Sequence, residues 1–297
     1  MAPTKKVEDI YQKKDQREHA LLRPGMYIGD IEEYPDKTFL WDEGGKKMKE
    51  RLITFNPGLY KLFDEILVNS LDQWQREGSQ GVKNIKVELT NDTCSVFNDC
   101  KEGIPVVIHK EHKLYVPDMI FGYLLSGSNY GDEKKTVGGT NGLGAKLCNI
   151  FSQEFTIEVA DGKKKFTKTW SGNMSSSSQH KVSACKKSYT KISWKPDFER
   201  FGTTHFTPDM KDVFFRRCLD IAALVSGNGK NKTQVTFCGN KVPVKNWNQY
   251  VESFIQDPFQ STEVFENERW KITVSRGGEF RQWSWVNGIY TKNIYKY

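Results

Sequence analysis

Residues 56–78, NPGLYKLFDEILVNSLDQWQREG, set the strongest limit on the fold. Asn56 before Pro57 is a helix start, because the carboxamide can accept a free first-turn N–H and proline's fixed φ suits the first helical position. Leu62, Phe63, Ile66, Leu67 and Leu71 then recur at helical spacing, and Gly78 supplies a stop. A helix with so continuous an apolar stripe must bury it against a second layer. NIKVELT and CSVFN read as short strands, and EFTIEVADG, KKFTKTWSG and YTKISWKPD as three more. VPDMIFGYLLSGSNYG reads as a helix running into a polar loop, with further helices over roughly 208–226 and 245–256. Consecutive strands joined by short turns, with the helices gathered on other segments, predict an α+β sandwich instead of a doubly wound sheet. HALLRPGMYIGD reads as an arm that docks on something, and MSSSSQHK as a surface loop. RWKITVSRGGEFRQWSWVNGIY reads as a hairpin, which starts a second module near residue 258.

Composition removes several function classes. The chain has 297 residues, 37% hydrophobic and 13% aromatic, enough to build a core in one large domain or two. No apolar run approaches membrane-spanning length, and the N-terminal MAPTKKVEDIYQKKDQ has no apolar core for a signal peptide, so a reducing compartment is expected. Six cysteines without a CxxC pair argue against a zinc knuckle and against a disulfide framework. His109 and His112 have a metal-compatible spacing but no second ligand cluster, and receive no role. The net charge of +7 is compatible with a nucleic-acid partner without identifying one. The basic clusters, such as DGKKKFTK and HKVSACKK, read singly as solvated faces.

Chemistry concentrates in three places. The stretch VGGTNGLGAKLCNIF, residues 137–151, puts glycines before an apolar helix, as a phosphate-binding loop does. It fails the P-loop pattern, because Ala145 follows Gly144 and Lys146 comes one place late. It also fails the dinucleotide fingerprint, because Leu147 stands where a third glycine belongs. A flexible surface cap remains the alternative. On the first helix, Glu65, Asn69, Asp72 and Gln73 share a face opposite the apolar stripe. There Glu65 can take a proton from water while the oxygen of Asn69 meets a hard cation, or the face is simply solvated. At the end of a strand, FNDCKEGIP sets Asp99 four residues before Gly103. That carboxylate can accept an exocyclic amine beside a close backbone, or the segment is only a turn.

An acid–amide helix, an Asp–Gly turn, a glycine-rich loop and a later strand threonine, in that order, resemble the GHKL (Bergerat-fold) ATPases. IYQKKDQREHALLRPGMYIGD, LYKLFDEILVNSLDQ, EGIPVVIHKEHKLYVPDMIFGYLLSGSNY, GGTNGLGAKLCNIFS and CGNKVPVKNWNQYV are similar to the ATPase region of eukaryotic-type DNA topoisomerase II, from about residue 8 to 293. The resemblance implies a two-layer GHKL sandwich over 26–257, an N-terminal dimerisation arm over 1–25, and the beginning of a transducer-type α/β module over 258–297. It implies ATP and Mg²⁺ as ligands, Glu65 as the general base and Asn69 as the Mg²⁺ ligand. Asp99 would bind adenine beside Gly103, helped through water by Thr190. Gly127, Ser128 and Asn129 would contact the ribose and phosphates. The loop Gly139, Thr140, Asn141, Gly142, Leu143, Gly144, Ala145 and Lys146 would wrap the triphosphate. Tyr11 and Gln12 would reach the nucleotide site of a second subunit, making a homodimer that acts on double-stranded DNA with no membrane partner. A nuclear setting is implied, with viral and organellar settings left open.

This chain departs from the family pattern at several positions. Lys101 stands where the adenine motif has glycine, with Cys100 before it; Thr140 replaces a usual arginine and Gln73 a common asparagine. In the family, the lysine that meets the γ-phosphate and the tyrosine that cuts DNA both lie beyond the 297 residues present. Two rivals stay open: a GHKL ATPase of the chaperone or mismatch-repair type, and a degenerate module that binds nucleotide or dimerises without turnover.

Overall fold

The computed structural model describes residues 11, 13–124, 126, 142–226, 232–255, 261–267, 270–277 and 280–291. The long helix forms as its sequence requires, as α2 (Pro57–Gly81), and follows a short helix, α1 (Gln16–Leu22). The Asn56 carboxamide accepts from the Leu59 N–H at 3.0 Å, closing the start of α2. Near its end, Gly78 takes φ +65° and kinks the helix. Between α1 and α2 lies an antiparallel hairpin of β1 (Tyr34–Asp42) and β2 (Lys47–Phe55), which the sequence reading did not pick out.

Strands β3 (Asn84–Leu89) and β4 (Cys94–Asp99) come next, then helices α3 (Val116–Gly122) and α4 (Gly144–Ile150). β5 (Ser152–Asp161), β6 (Lys164–Ser171), β7 (Ser176–Ser177), β8 (Lys181–Ala184) and β9 (Ser188–Pro196) follow. Then come α5 (Pro208–Leu224), β10 (Gln234–Phe237), β11 (Asn240–Lys241) and α6 (Trp247–Phe254). The main sheet runs β11-β10-β3-β4-β9-β5-β6-β7, with β8 also on β6. Among these pairs only β10 and β3 are parallel. The result is the expected α+β sandwich, with the helices on one face of the sheet.

Alternation along the strands decides what each face carries. Ile85, Val87, Val96, Ile157 and Ile192 point into the core, while Lys86 and Glu88 are exposed. Against this face pack Leu62, Phe63, Ile66 and Leu67 of α2, and the Phe63 ring stacks on Phe214 of α5 at 4.1 Å between centroids. Burying such side chains stabilises by about 1.5–3 kcal/mol each, so the α2 stripe alone is a large part of the core. Ala20 of α1 is buried in the same core, so the second half of the N-terminal segment is docked, as expected of it.

The C-terminal segment differs from its sequence reading. In place of one hairpin over 269–290 there are two: β12 (Thr262–Glu266) with β13 (Lys271–Ser275), and β14 (Trp285–Val286) with β15 (Ile289–Tyr290). Side-chain anchors select these pairings. The Trp247 indole donates to Thr273 Oγ1 at 2.8 Å, while Trp283 meets Phe254 and Phe39, and Trp285 meets Tyr250.

A buried ionic network joins this last hairpin to the helices. Arg217 of α5, 1% exposed, donates to Asp64 Oδ1 of α2 at 2.7 Å and to the Gly288 carbonyl at 2.6 Å. Burial alone would lower its pKa, but Asp64, Tyr60 and Asp220 outweigh that and hold it above the ordinary arginine value. Next to it, Arg216 donates to Asp220, to the Phe39 carbonyl and to the Tyr250 hydroxyl.

Candidate active site

The polar face of α2 forms the floor of a cleft of about 560 Å³, lined also by β4, β9, the start of α4 and Ile289 of β15. Pockets of ~300–1,000 Å³ suit small ligands. Glu65, Asn69, Asp72 and Gln73 all line it, as the helical spacing predicts. Glu65 is ion-paired with Lys61 one turn earlier on α2. Asn69 is exposed in the cleft and its carboxamide has no hydrogen bond among the described residues.

The glycine loop meets this helix directly. A Cβ built on Gly144 would stand 1.9 Å from Glu65 Oε2, so a side chain at 144 would push the carboxylate away from the start of α4. Gly142, Leu143, Gly144, Ala145 and Lys146 line the cleft. Lys146, however, is 2% exposed, and its ammonium donates to the carbonyls of Ser126 and Gly142, one at each end of the segment 127–141. Burial pulls its pKa down to about 8. Gly127, Ser128, Asn129, Gly139, Thr140, Asn141 and Gln12 lie outside the described residues. Tyr11 is exposed.

The structure corrects one residue. Asp99 does not face the cleft. Its Oδ1 accepts from the backbone N–H of Lys83 (2.7 Å) and Asn84 (2.8 Å), and its Oδ2 accepts from Asn84 Nδ2 (2.6 Å), on the opposite side of the sheet. Adjacent strand residues point to opposite faces, so the neighbour that enters the cleft is Asn98, 6% exposed. Asn98 Oδ1 accepts from Ser70 Oγ at 3.1 Å and retains a second lone pair. Thr190 stands opposite Asn98 in the β4–β9 register and also lines the cleft. The signal was present in CSVFND: Cys94, Val96 and Asn98 alternate inward, against Ser95, Phe97 and Asp99 outward. Lys61 and Ser70 were also missed; each lies four or five residues from a residue already singled out on α2.

Val96, Ile104 and Ile192 with Asn98 and Thr190 make one end of the cleft apolar with two polar groups. Lys61, Glu65 and Asn69 make the other polar, beside Gly142 and Gly144. Gly103 lines the cleft wall, and a Cβ there would lie 2.4 Å from the Ala160 carbonyl, so the chain passes that strand as only glycine can. Cys100, also in the wall, is a neutral thiol, since burial with Glu77 and Asp99 nearby pushes its pKa up to about 12. Among the described residues, His109, Glu111 and His112 are the cluster with metal-ligand spacing; they lie on a partly exposed turn outside the cleft lining.

A sheet backed by helices, with an acid and an amide one turn apart under a glycine-opened helix, is the sandwich expected of a GHKL ATPase. No family model matches the chain. DNA topoisomerase 2 of Arabidopsis thaliana is 42% identical over 301 residues, covering 97% of this chain and 20% of that protein. The crystal structure of the ATPase region of Saccharomyces cerevisiae topoisomerase II superposes with a TM-score of 0.88 at 39% identity, covering 96% of this chain and 76% of that one. The ATPase and transducer domains of DNA topoisomerase II from Balamuthia mandrillaris give the same TM-score at 38% identity, covering 96% and 74%. The chain belongs to the family of topoisomerase II ATPase regions, and it spans about a fifth of the length of the curated relatives it matches.

Proposed function

We propose that the cleft binds ATP with Mg²⁺ and hydrolyses it, as the nucleotide-operated gate of a DNA topoisomerase that passes one duplex through another. The observation that carries this reading is the pairing of Glu65 and Asn69 on one face of α2 beneath Gly144, in a chain of this family. The adenine would occupy the apolar end, with Asn98 accepting from its exocyclic amine and Thr190 assisting. The phosphates would lie toward Gly142–Lys146, where Gly139, Thr140 and Asn141 would join them, while Gly127, Ser128 and Asn129 would contact the ribose and phosphates.

The donor set suits the ion, since Mg²⁺ takes oxygen ligands and shares them with phosphates, and the Asn69 carboxamide oxygen is uncommitted among the described residues. When bound, Mg²⁺ neutralises phosphate charge. Glu65, held by Lys61, accepts the proton of the attacking water. Tyr11 and Gln12 of the 1–25 arm would complete the site of a second copy, giving a homodimer around double-stranded DNA in the nucleus. Residues 258–297 would begin the transducer. No helix among the described residues is long and apolar enough to cross a membrane.

Titration calorimetry with ATP and Mg²⁺ tests the binding: heat that requires Mg²⁺ is expected, and its absence ends the site assignment. Turnover by Glu65→Gln is expected to fall by ~10²–10⁴-fold, the range of general-base contributions. Equal rates would leave a non-catalytic module as the better reading.

A further inference from the structure

The segment Cys100–Pro105 carries the base end of the cleft wall through Cys100, Gly103 and Ile104, yet it has left the sheet. The last ladder-like bond here runs from the Cys100 N–H to the Ser188 carbonyl at 3.2 Å. Beyond it, two successive backbone amides converge on one carboxylate. Lys101 N–H donates to Glu77 Oε2 and Glu102 N–H to Glu77 Oε1, each at 2.8 Å. Successive N–H groups aimed at one point form an anion-binding nest, and here α2 supplies the anion. Gln73 Nε2 reinforces the join, donating to Glu77 Oε1 at 2.8 Å and to the Glu102 carbonyl at 3.2 Å. At the far end, Val106 N–H donates to Asp161 Oδ2 at 2.9 Å.

The arrangement also accounts for the departures at Cys100 and Lys101. Neither residue has a positive φ, so the backbone asks for no glycine there, and the Lys101 and Glu102 side chains are exposed. Their amides do the structural work, and those amides depend on Glu77. Glu77 is the last residue of α2 before the kink at Gly78, one turn after Gln73 on the same helix.

We propose that Glu77 is the positioning residue for the adenine-facing wall, tying that wall to the helix that carries Glu65 and Asn69. The inference rests on the nucleotide reading above. Because Glu77 lines neither the phosphate end nor the cleft itself, its effect is confined to ligands that carry a base.

The test compares Mg·ATP with Mg·tripolyphosphate, which has the phosphates and no base, by titration calorimetry on the whole chain. Glu77→Gln removes one acceptor oxygen and the charge, leaving one nest amide without its partner. The expected result is an ATP affinity about tenfold weaker, the loss of one charge-assisted hydrogen bond, with tripolyphosphate affinity unchanged. In turnover, KM rises about tenfold while kcat moves by less than threefold. Glu77→Asp, which keeps the charge but is one methylene shorter, recovers part of the ATP affinity. An ATP affinity for Glu77→Gln equal to wild type overturns the inference alone, as does an equal loss for both ligands. A wild-type chain that binds neither ligand removes the nucleotide reading, and this inference with it.

Discussion

Gly144→Ala separates the geometry of the acid from the stability of the fold. The added Cβ would lie 1.9 Å from Glu65 Oε2 and 2.7 Å from its Cδ, and ordinary contact begins at 3.4 Å. The carboxylate must therefore retreat by about 1.5 Å from the start of α4, pulling against its ion pair with Lys61. A displacement of ~1 Å in a reacting group can cost about 10²-fold in rate, so turnover is expected to fall at least that far, about 2.7 kcal/mol in barrier height. Alanine at a helical position gains ~0.5–1 kcal/mol over glycine from backbone entropy, which offsets part of the local strain. The melting temperature should accordingly stay within a few degrees of wild type. The assay is phosphate release under saturating Mg·ATP, run beside a thermal melt. A variant that folds and turns over within threefold of wild type would falsify the claim that Glu65 is held in place by the absence of a side chain at 144.

Two further predictions concern neighbouring residues with opposite jobs and one buried cation. Asn98→Ala should weaken ATP binding by about tenfold, the loss of one buried hydrogen bond. Asp99→Ala should leave binding within twofold and lower stability in urea by ~1–3 kcal/mol, because the Lys83 and Asn84 N–H groups lose their acceptor; the reverse pattern would restore Asp99 to the cleft. Lys146, whose pKa burial lowers to about 8, gives a pH signature. Below about 8 it is protonated both folded and unfolded. Between about 8 and its ordinary value of 10.5 the unfolded chain keeps a proton that the folded chain has released, so stability rises with pH across that window. Urea melts at several pH values should show this rise, and Lys146→Met should flatten it; an unchanged slope in the variant would assign the rise elsewhere.

What the sequence revealed follows from how local each signal is. Helix α2 was legible because its cap, its first-turn proline and its apolar period all lie within the one segment. The acid–amide face followed from the same period, and Gly144 from its place before an apolar run. Acceptor chemistry alone points to Asp99, whereas strand alternation turns Asn98 toward the cleft and Asp99 away from it; the six residues of β4 are enough to place both. The β1–β2 hairpin was harder to see. Its strands are half-exposed, one contains Pro35, and its inward residues Leu40 and Ile53 pack with Val213, far along the chain. The pairing within the C-terminal hairpins depended on Trp247, Tyr250 and Phe254 of α6, to which local pattern is blind.

The contact between Arg217 and the Gly288 carbonyl bears on where this molecule can be cut. A boundary drawn at residue 257 would sever this contact, because the β14–β15 turn that supplies the carbonyl lies beyond it. Without that turn, a guanidinium 1% exposed keeps its aspartate and loses a carbonyl, while the partners of Trp283 and Trp285 are bared. Ile289, at the same turn, is also part of the cleft wall. The turn thus serves as a bolt: its Gly288 carbonyl ties it to the buried Arg217–Asp64 pair beside Glu65, and its Ile289 ties it to the wall of the cleft.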